Sequence, residues 1–186
     1  MKKRCSWVNN NPFSIKYHDE EWGIPLHNDR KLFEFLLLDS FQAGLNWVTV
    51  LKKRESFKKA FDNFNYLKIA TYDEEKVQNL LSDKGIIRNR LKIDAAISNA
   101  KEFIKIQKEF GTFDKYIWKF VNHKTIKNSF KTWHEVPATS KESEEMSKDL
   151  KKRGFKFVGA TICYAFMQAA GMVNDHEITC FRYNEI

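Results

Sequence analysis

The sequence predicts an all-α fold, a single helical domain spanning residues 1–186 with its two ends brought together. Three observations predict it. Apolar residues recur at helical spacing, and no stretch alternates cleanly enough for a sheet. Only three Pro and seven Gly punctuate the chain. Side chains of metal-binding type stand two at each end, Cys5 and His18 at the start, His176 and Cys180 at the finish.

The elements follow in order. Asp29 is placed to cap a helix whose Leu32, Phe33, Phe35, Leu36, Leu37 and Leu38 are nearly continuous, hence deeply buried. The run Thr49 to Phe61 is amphipathic, residues 74–82 form a short helix, and Gly85 breaks the chain. The longest helix runs from about Ile86 to Phe110, with Ile93, Ala96, Ala100 and Phe103 on one face. Residues 113–121 carry Trp118 and Phe120 on another short helix, and 122–139, holding Pro137, reads as an irregular surface connection. Thr139-Ser140-Lys141-Glu142 has the form of a capping box opening a helix to Arg153. Gly154 ends that helix, and Gly159 precedes a last one, Ala160 to Ala170, closed by Gly171.

Composition bounds the function. A formal charge of +8 arises from 32 basic and 24 acidic residues, an excess spread along the chain, which favours a polyanionic partner, nucleic acid ahead of a membrane surface. Three cysteines far apart make no disulfide framework and fit a reducing cytoplasm. Behind the basic start, Cys5-Ser6-Trp7-Val8-Asn9-Asn10-Asn11 supplies no apolar core for a signal peptide, and no run is long enough to span a bilayer.

Three clusters carry chemistry. Cys5, His18, His176 and Cys180 would make a closed Cys₂His₂ set with no open position for substrate. Bound to one ion, the set would clasp both chain ends, so that binding free energy becomes folding free energy. A buried thiol, a surface histidine and two unrelated C-terminal residues fit the spacing equally well. In the second cluster, Gly154-Phe155-Lys156-Phe157-Val158-Gly159 is a tight connection between helices, with Lys151, Lys152, Arg153 and Lys156 around it. Its glycines would let the backbone approach a phosphate, and helix-start N–H groups would face the anion. The glycine pair and four cations favour DNA over an ordinary helical hairpin with solvated lysines. The third is the loop Gln42-Ala43-Gly44-Leu45-Asn46-Trp47 beside Asp39, where an aromatic face and a carboxylate would suit a flat cation, with Tyr17 as a further wall. Residue types alone favour the plainer reading of core aromatics and a solvated Asp39.

Longer motifs add to this. Arg4-Cys5-Ser6-Trp7, Tyr17-His18-Asp19-Glu20-Glu21-Trp22-Gly23-Ile24-Pro25, the 42–47 loop, Gly85-Ile86-Ile87-Arg88-Asn89-Arg90, the segment Leu150–Gly159 and Val173-Asn174-Asp175-His176 resemble the bacterial DNA-3-methyladenine glycosylase I family. The resemblance runs from Arg4 to Cys180 and weakens across about 122–139. It implies a helix-hairpin-helix glycosylase fold, with the hairpin over about 140–171, acting on alkylated double-stranded DNA to excise 3-methyladenine. It also implies one structural zinc held by Cys5, His18, His176 and Cys180, a base pocket of Tyr17, Asp39 and Trp47, and Leu45 filling the gap left in the duplex. DNA contacts are expected from Lys152, Arg153, Gly154, Lys156 and Gly159, with the protein acting as a monomer in the cytoplasm.

The chain departs from the family in having Asp39 for the usual glutamate and Ser40 for the following glycine. Aspartate is one methylene shorter, so a hydrogen bond set for glutamate would lengthen or need the helix to shift. The wider superfamily's catalytic aspartate has Asn174 in its place, and its lyase lysine has Ala160 and Thr161, so hydrolysis without strand cleavage is expected. His18-Asp19-Glu20 also matches the first half of a nucleobase deaminase signature, whose Pro-Cys-x-x-Cys half is missing. A non-catalytic DNA-binding protein fits charge, hairpin and loop equally, and only base release separates the two. Cys163 reads as a core thiol, His27, His123 and His134 as surface residues without partners, and Trp118 and Trp133 as packing.

Overall fold

A computed structural model describes residues 2–186 and is mostly helical. Its helices are α1 (Pro12–Glu20), α2 (Asp29–Gln42), α3 (Trp47–Ala60), α4 (Tyr66–Ile69), α5 (Glu74–Ser82), α6 (Arg90–Phe110), α7 (Phe113–Trp118), α8 (Lys141–Lys152) and α9 (Ala160–Ala169). Sequence reasoning passed over α1, although Asn11 caps it by accepting from the Phe13 N–H and Pro12 fills a first-turn position that needs no donor.

At the centre lies α2, buried on every side from Leu32 to Phe41 and in contact with α3, α6, α7 and α9. Asn28, not Asp29, is its cap, accepting from the Lys31 N–H. The Asp29 carboxylate instead accepts from the backbone N–H groups of Phe113 and Asp114 (both 2.9 Å), tying α2 to the start of α7. The long helix opens at Arg90, four residues later than expected, because Asn89 caps it through the Lys92 N–H. The capping box of α8 is shifted by one residue from the sequence reading. Ser140 and Ser143 exchange side-chain and backbone hydrogen bonds, a role expected of Thr139 and Glu142.

The 122–139 connection is less irregular than expected. Strand β1 (Ile126–Lys127) pairs in parallel with β2 (Val173–Asn174), and a 3-10 turn covers Trp133–Glu135. Strands of two residues carry no periodicity that a sequence could display. Their pairing fixes the segment leading to His176. Two glycines make this region possible. Gly171 has φ +68°, and a Cβ there would lie 2.3 Å from the Ile24 carbonyl carbon. At Gly23, φ +79°, a Cβ would lie 2.6 Å from the His176 ring.

Candidate active site

Tyr17 and His18 are neighbours on α1, and the turn of a helix sends their side chains to different places. His18 enters a cluster in which one donor atom each from Cys5, His18 and Cys180 lies within 4.8 Å of the others, a group able to hold a metal ion. His18 Nε2 is 3.3 Å from Cys5 Sγ and 3.4 Å from Cys180 Sγ. Asp19 accepts from His18 Nδ1 at 2.8 Å and is itself held by Arg4 at 2.7 Å, which aims Nε2 into the cluster. A hydrogen bond from Cys5 holds the Cys180 thiol below its ordinary range, against the effect of burial.

His176 stands beside this group, its ring 5.1 Å from that of His18 between centroids. Asn174 Oδ1 accepts from its Nδ1 at 3.0 Å, leaving Nε2 unprotonated, fully buried and without a partner among the described residues. Burial first, then the neighbouring His18 and Arg182, lowers this imidazole to about 3, so it stays neutral. The group of mutually close donor atoms comprises Cys5, His18 and Cys180 without His176, whose orphaned ring nitrogen beside the His18 imidazole is of the chemical type that could serve as a fourth ligand. Asn174, fully buried, is committed to this support. Its Nδ2 donates to the carbonyls of Tyr183 and Ile186, which ties it to the C-terminal end of the chain.

Tyr17 faces the other way, into a cavity of about 390 Å³. The cavity brings together Tyr17, Asp39 and Trp47, from three different helices, with Leu45 at the loop beside them. The Tyr17 and Trp47 rings lie 5.3 Å apart at 58°. Asp39 is 2 % exposed, and its Oδ2 has no hydrogen-bond partner among the described residues. Burial pushes its carboxyl well above the ordinary range, opposed by the charge of Arg54. Asp39 is therefore far from the solvated helix-end residue that residue types alone favoured. Ser40 does not disturb the helix, since its hydroxyl donates to the Leu36 carbonyl at 2.7 Å within α2.

Arg54 holds the three helices in register. It donates to both Glu21 carboxylate oxygens (2.7 and 2.8 Å) at the end of α1 and to Glu34 on α2 (2.7 Å) while sitting on α3. Three tryptophans complete the wall, and sequence reasoning gave none of them a site role. Trp7, Trp22 and Trp133 line the cavity as a cluster, with centroids 5.1 to 6.0 Å apart. Trp133 is thus a wall residue as well as packing. Trp22 also lies 4.6 Å from the His176 ring and 6.0 Å from His18, joining the Cys5, His18 and Cys180 group to the cavity. Five Trp in 186 residues was the available signal.

Leu45 follows Gly44, whose φ is +76°, and remains 43 % exposed. Buried Lys92 anchors the base of this loop, donating to the carbonyls of Phe41 (2.8 Å) and Ala43 (2.6 Å) at the end of α2. A lysine among the apolar positions of α6 gave no sequence sign of that task.

The segment between α8 and α9 turns at Gly154, φ +98°, where the Phe155 N–H donates to the Leu150 carbonyl at 3.0 Å. Asn99 clamps its tip through both backbone groups of Lys156. Gly159 caps α9 with no side chain over the first N–H groups, and a Cβ there would meet nothing within 4 Å. Lys151, Lys152 and Lys156 are exposed and form no ion pair among the described residues. Arg153 differs. It pairs with Asp149 (3.0 Å) and Glu109 (2.7 Å) and covers the Phe110 and Tyr116 rings, so its charge is compensated within the protein. From Gly159 to the cavity residue Ala165 is about 9 Å along α9.

The other sequence-selected residues are placed simply. Cys163 is buried, and burial pushes its thiol up to about 12. His27 is exposed but not without a partner, lying 2.8 Å from Asp114 and beside the Trp118 ring. Glu20, the second residue of the deaminase-like pair, is exposed and lies outside the Cys5, His18 and Cys180 group. Among the described residues, no helix is long and apolar enough to cross a membrane.

Comparison with known proteins agrees with this architecture. DNA-3-methyladenine glycosylase 1 of Escherichia coli K12 is 48 % identical over 181 residues, covering 97 % of each chain. The Haemophilus influenzae DNA-3-methyladenine glycosylase is 46 % identical over 180 residues, again covering 97 % of each. A crystal structure of 3-methyladenine DNA glycosylase I aligns with TM-score 0.94 at 47 % identity, over 96 % of this chain and 98 % of that one. A structure addressing 3-methyladenine recognition by the Staphylococcus aureus glycosylase aligns with TM-score 0.93 at 33 % identity, over 96 % and 95 %. The methyladenine glycosylase family model matches residues 7–183, and with those relatives this places the chain in the methyladenine glycosylase family.

Proposed function

We propose that this protein excises 3-methyladenine from alkylated double-stranded DNA by hydrolysis, leaving an abasic site in an intact strand. The observation that carries the reading is the buried Asp39 carboxylate, unpartnered and facing a cavity walled by Tyr17 and Trp47. A carboxylate is costly in such a place unless a cation comes to it. A base methylated at N3 is cationic, flat and large enough to use both aromatic faces.

The base must first leave the helix, which costs roughly a few kcal/mol of unstacking. The exposed Leu45, on a loop anchored by Lys92, is suited to fill the gap. Lys152, Lys156 and the backbone at Gly154 and Gly159 are suited to hold phosphates, in the manner of a helix-hairpin-helix. The short run of α9 to the cavity brings that grip close to the flipped base. In the chemical step the N9–C1′ bond breaks and its electron pair neutralises the base. A water oxygen bonds to C1′, and its proton passes to solvent. The base departs neutral, so no proton need be donated to it. Pairing that is strongest while charge remains on the base favours the methylated substrate over ordinary adenine.

One structural zinc, held by Cys5, His18, His176 and Cys180, supplies folding energy and no reacting group. Its clasp steadies Trp22, and through it one cavity wall. Asn174 is spent on His176, and no lysine stands at 160 or 161, which supports hydrolysis without strand cleavage. The protein is proposed to act as a monomer in a bacterial cytoplasm. Chromatography of bases released from methylated duplex DNA tests the reading. Free 3-methyladenine from intact strands is expected. No release, or a borohydride-trapped protein–DNA adduct, would contradict it.

A further inference from the structure

We propose that Gln168 determines the choice between 6-amino and 6-oxo purines, by presenting its amide oxygen to the base as a fixed acceptor. The inference deepens the base-excision reading and rests on it. Gln168 lines the cavity from α9, together with Ala165. Its Nε2 donates to Asp175 Oδ2 at 2.8 Å. That carboxylate is 1 % exposed and also accepts from the Tyr164 hydroxyl at 2.8 Å and from Asn128 Nδ2 at 2.7 Å.

Three donors converge on the two oxygens of Asp175, which therefore face Gln168 as acceptors. The Gln168 amide therefore cannot turn round, because the reversed orientation would set Oε1 against a carboxylate oxygen. With Nε2 committed to Asp175, Oε1 is the polar side-chain atom that Gln168 has left to offer the cavity it lines. Ordinary cavity-wall glutamines rotate to suit either donor or acceptor. Here a buried carboxylate outside the cavity has already made the choice.

The consequence is chemical. Adenine carries an amino group at position 6, a donor, where guanine carries an oxygen, an acceptor. A fixed acceptor on the wall, acting with the Asp39 carboxylate, welcomes the first and opposes the second. Buried groups left unpaired by the wrong base are the stronger source of discrimination. Asp39 alone could pair with any cationic purine. Gln168 adds a preference that charge cannot supply, and reading 3-methyladenine against 3-methylguanine requires just such a group.

The test measures release of both bases from one methylated duplex by wild-type protein and by Gln168→Met, which keeps the length and apolar stem but removes the acceptor. The expected result is a fall of about tenfold in 3-methyladenine release, the worth of one good hydrogen bond. Release of 3-methylguanine should hold or rise, so that the ratio changes. Equal loss of both would mean a structural role and overturn the proposal, as would an unchanged variant. Should the variant not fold, the carbonyl-carbon NMR signal of the Gln168 side chain in wild-type protein decides the matter. It should shift when free 3-methyladenine binds, and an unmoved signal in the bound protein overturns the proposal. Wild-type protein that releases no 3-methyladenine would refute the excision reading itself, a separable failure.

Discussion

Asp39 should cost the free protein stability, and removing its charge should return it. The carboxylate is 2 % exposed with Oδ2 unpartnered, so Asp39→Asn replaces a buried, isolated acid by a neutral group of the same shape. An unsatisfied buried polar atom costs about 1–3 kcal/mol, more when charged. For a domain of this size each kcal/mol moves the melting temperature by about 3 °C, so the variant should melt roughly 3–9 °C higher at neutral pH. The pH dependence fixes the cause. Burial raises the carboxyl of Asp39 in the folded state, so there the folded protein binds the proton more readily than the unfolded chain. Stability contributed by this group is therefore intact below its unfolded value of about 4 and declines as pH rises through the higher folded value. The gain in Asp39→Asn should vanish at low pH and grow on raising it. Thermal unfolding of both proteins across that range, compared pairwise so that effects common to both cancel, is the assay. A variant that melts lower at neutral pH, or a difference that ignores pH, would refute the reasoning.

Chelation of the proposed zinc should lower the melting temperature reversibly. Saturation a thousandfold above the dissociation constant is worth about 4 kcal/mol, and His176→Ala should weaken zinc binding if its orphaned Nε2 is the fourth ligand; titration with a chromophoric chelator reads both. Leu45→Ala, at an exposed position, should leave melting nearly unchanged yet slow excision from duplex DNA about tenfold or more, with affinity for free 3-methyladenine preserved. Lys152→Gln and Lys156→Gln should each reduce the salt slope of DNA binding by about one. Arg153→Gln, which breaks pairs to Asp149 and Glu109, should instead lower the melting temperature and leave that slope almost unchanged.

Legibility in the sequence followed the physics of each signal. The central helix was readable because burial on all sides leaves an apolar run, Leu32, Phe33, Phe35, Leu36, Leu37 and Leu38, interrupted by Glu34 alone. Helix α5 was readable because Asp73 and Asp83 bound a short periodic stretch. The start of α6 was misplaced because Ile86 and Ile87 belong to the preceding turn, and only the Asn89 cap marks the true boundary. Residue types at the two chain ends suggested a clasp, whereas the neutral, inward-facing state of His176 depends on Asn174, which spacing cannot reveal. For the cavity, Tyr17, Asp39 and Trp47 were grouped from residue types and given a pocket role by resemblance, and their convergence depends on Arg54 bridging Glu21 and Glu34 across three helices. Gln168 stayed hidden because its role is set by a carboxylate seven residues away that only the fold brings into reach.

The most direct measurement is single-turnover release of 3-methyladenine from methylated duplex DNA by wild-type protein and by Asp39→Asn, both confirmed folded and metal-loaded. The account predicts release by the wild type and a loss of about tenfold or more in the variant, since a neutral amide cannot pair with the charged base. Release at equal rates would contradict the role of Asp39, and no release by the wild type would contradict the proposed function.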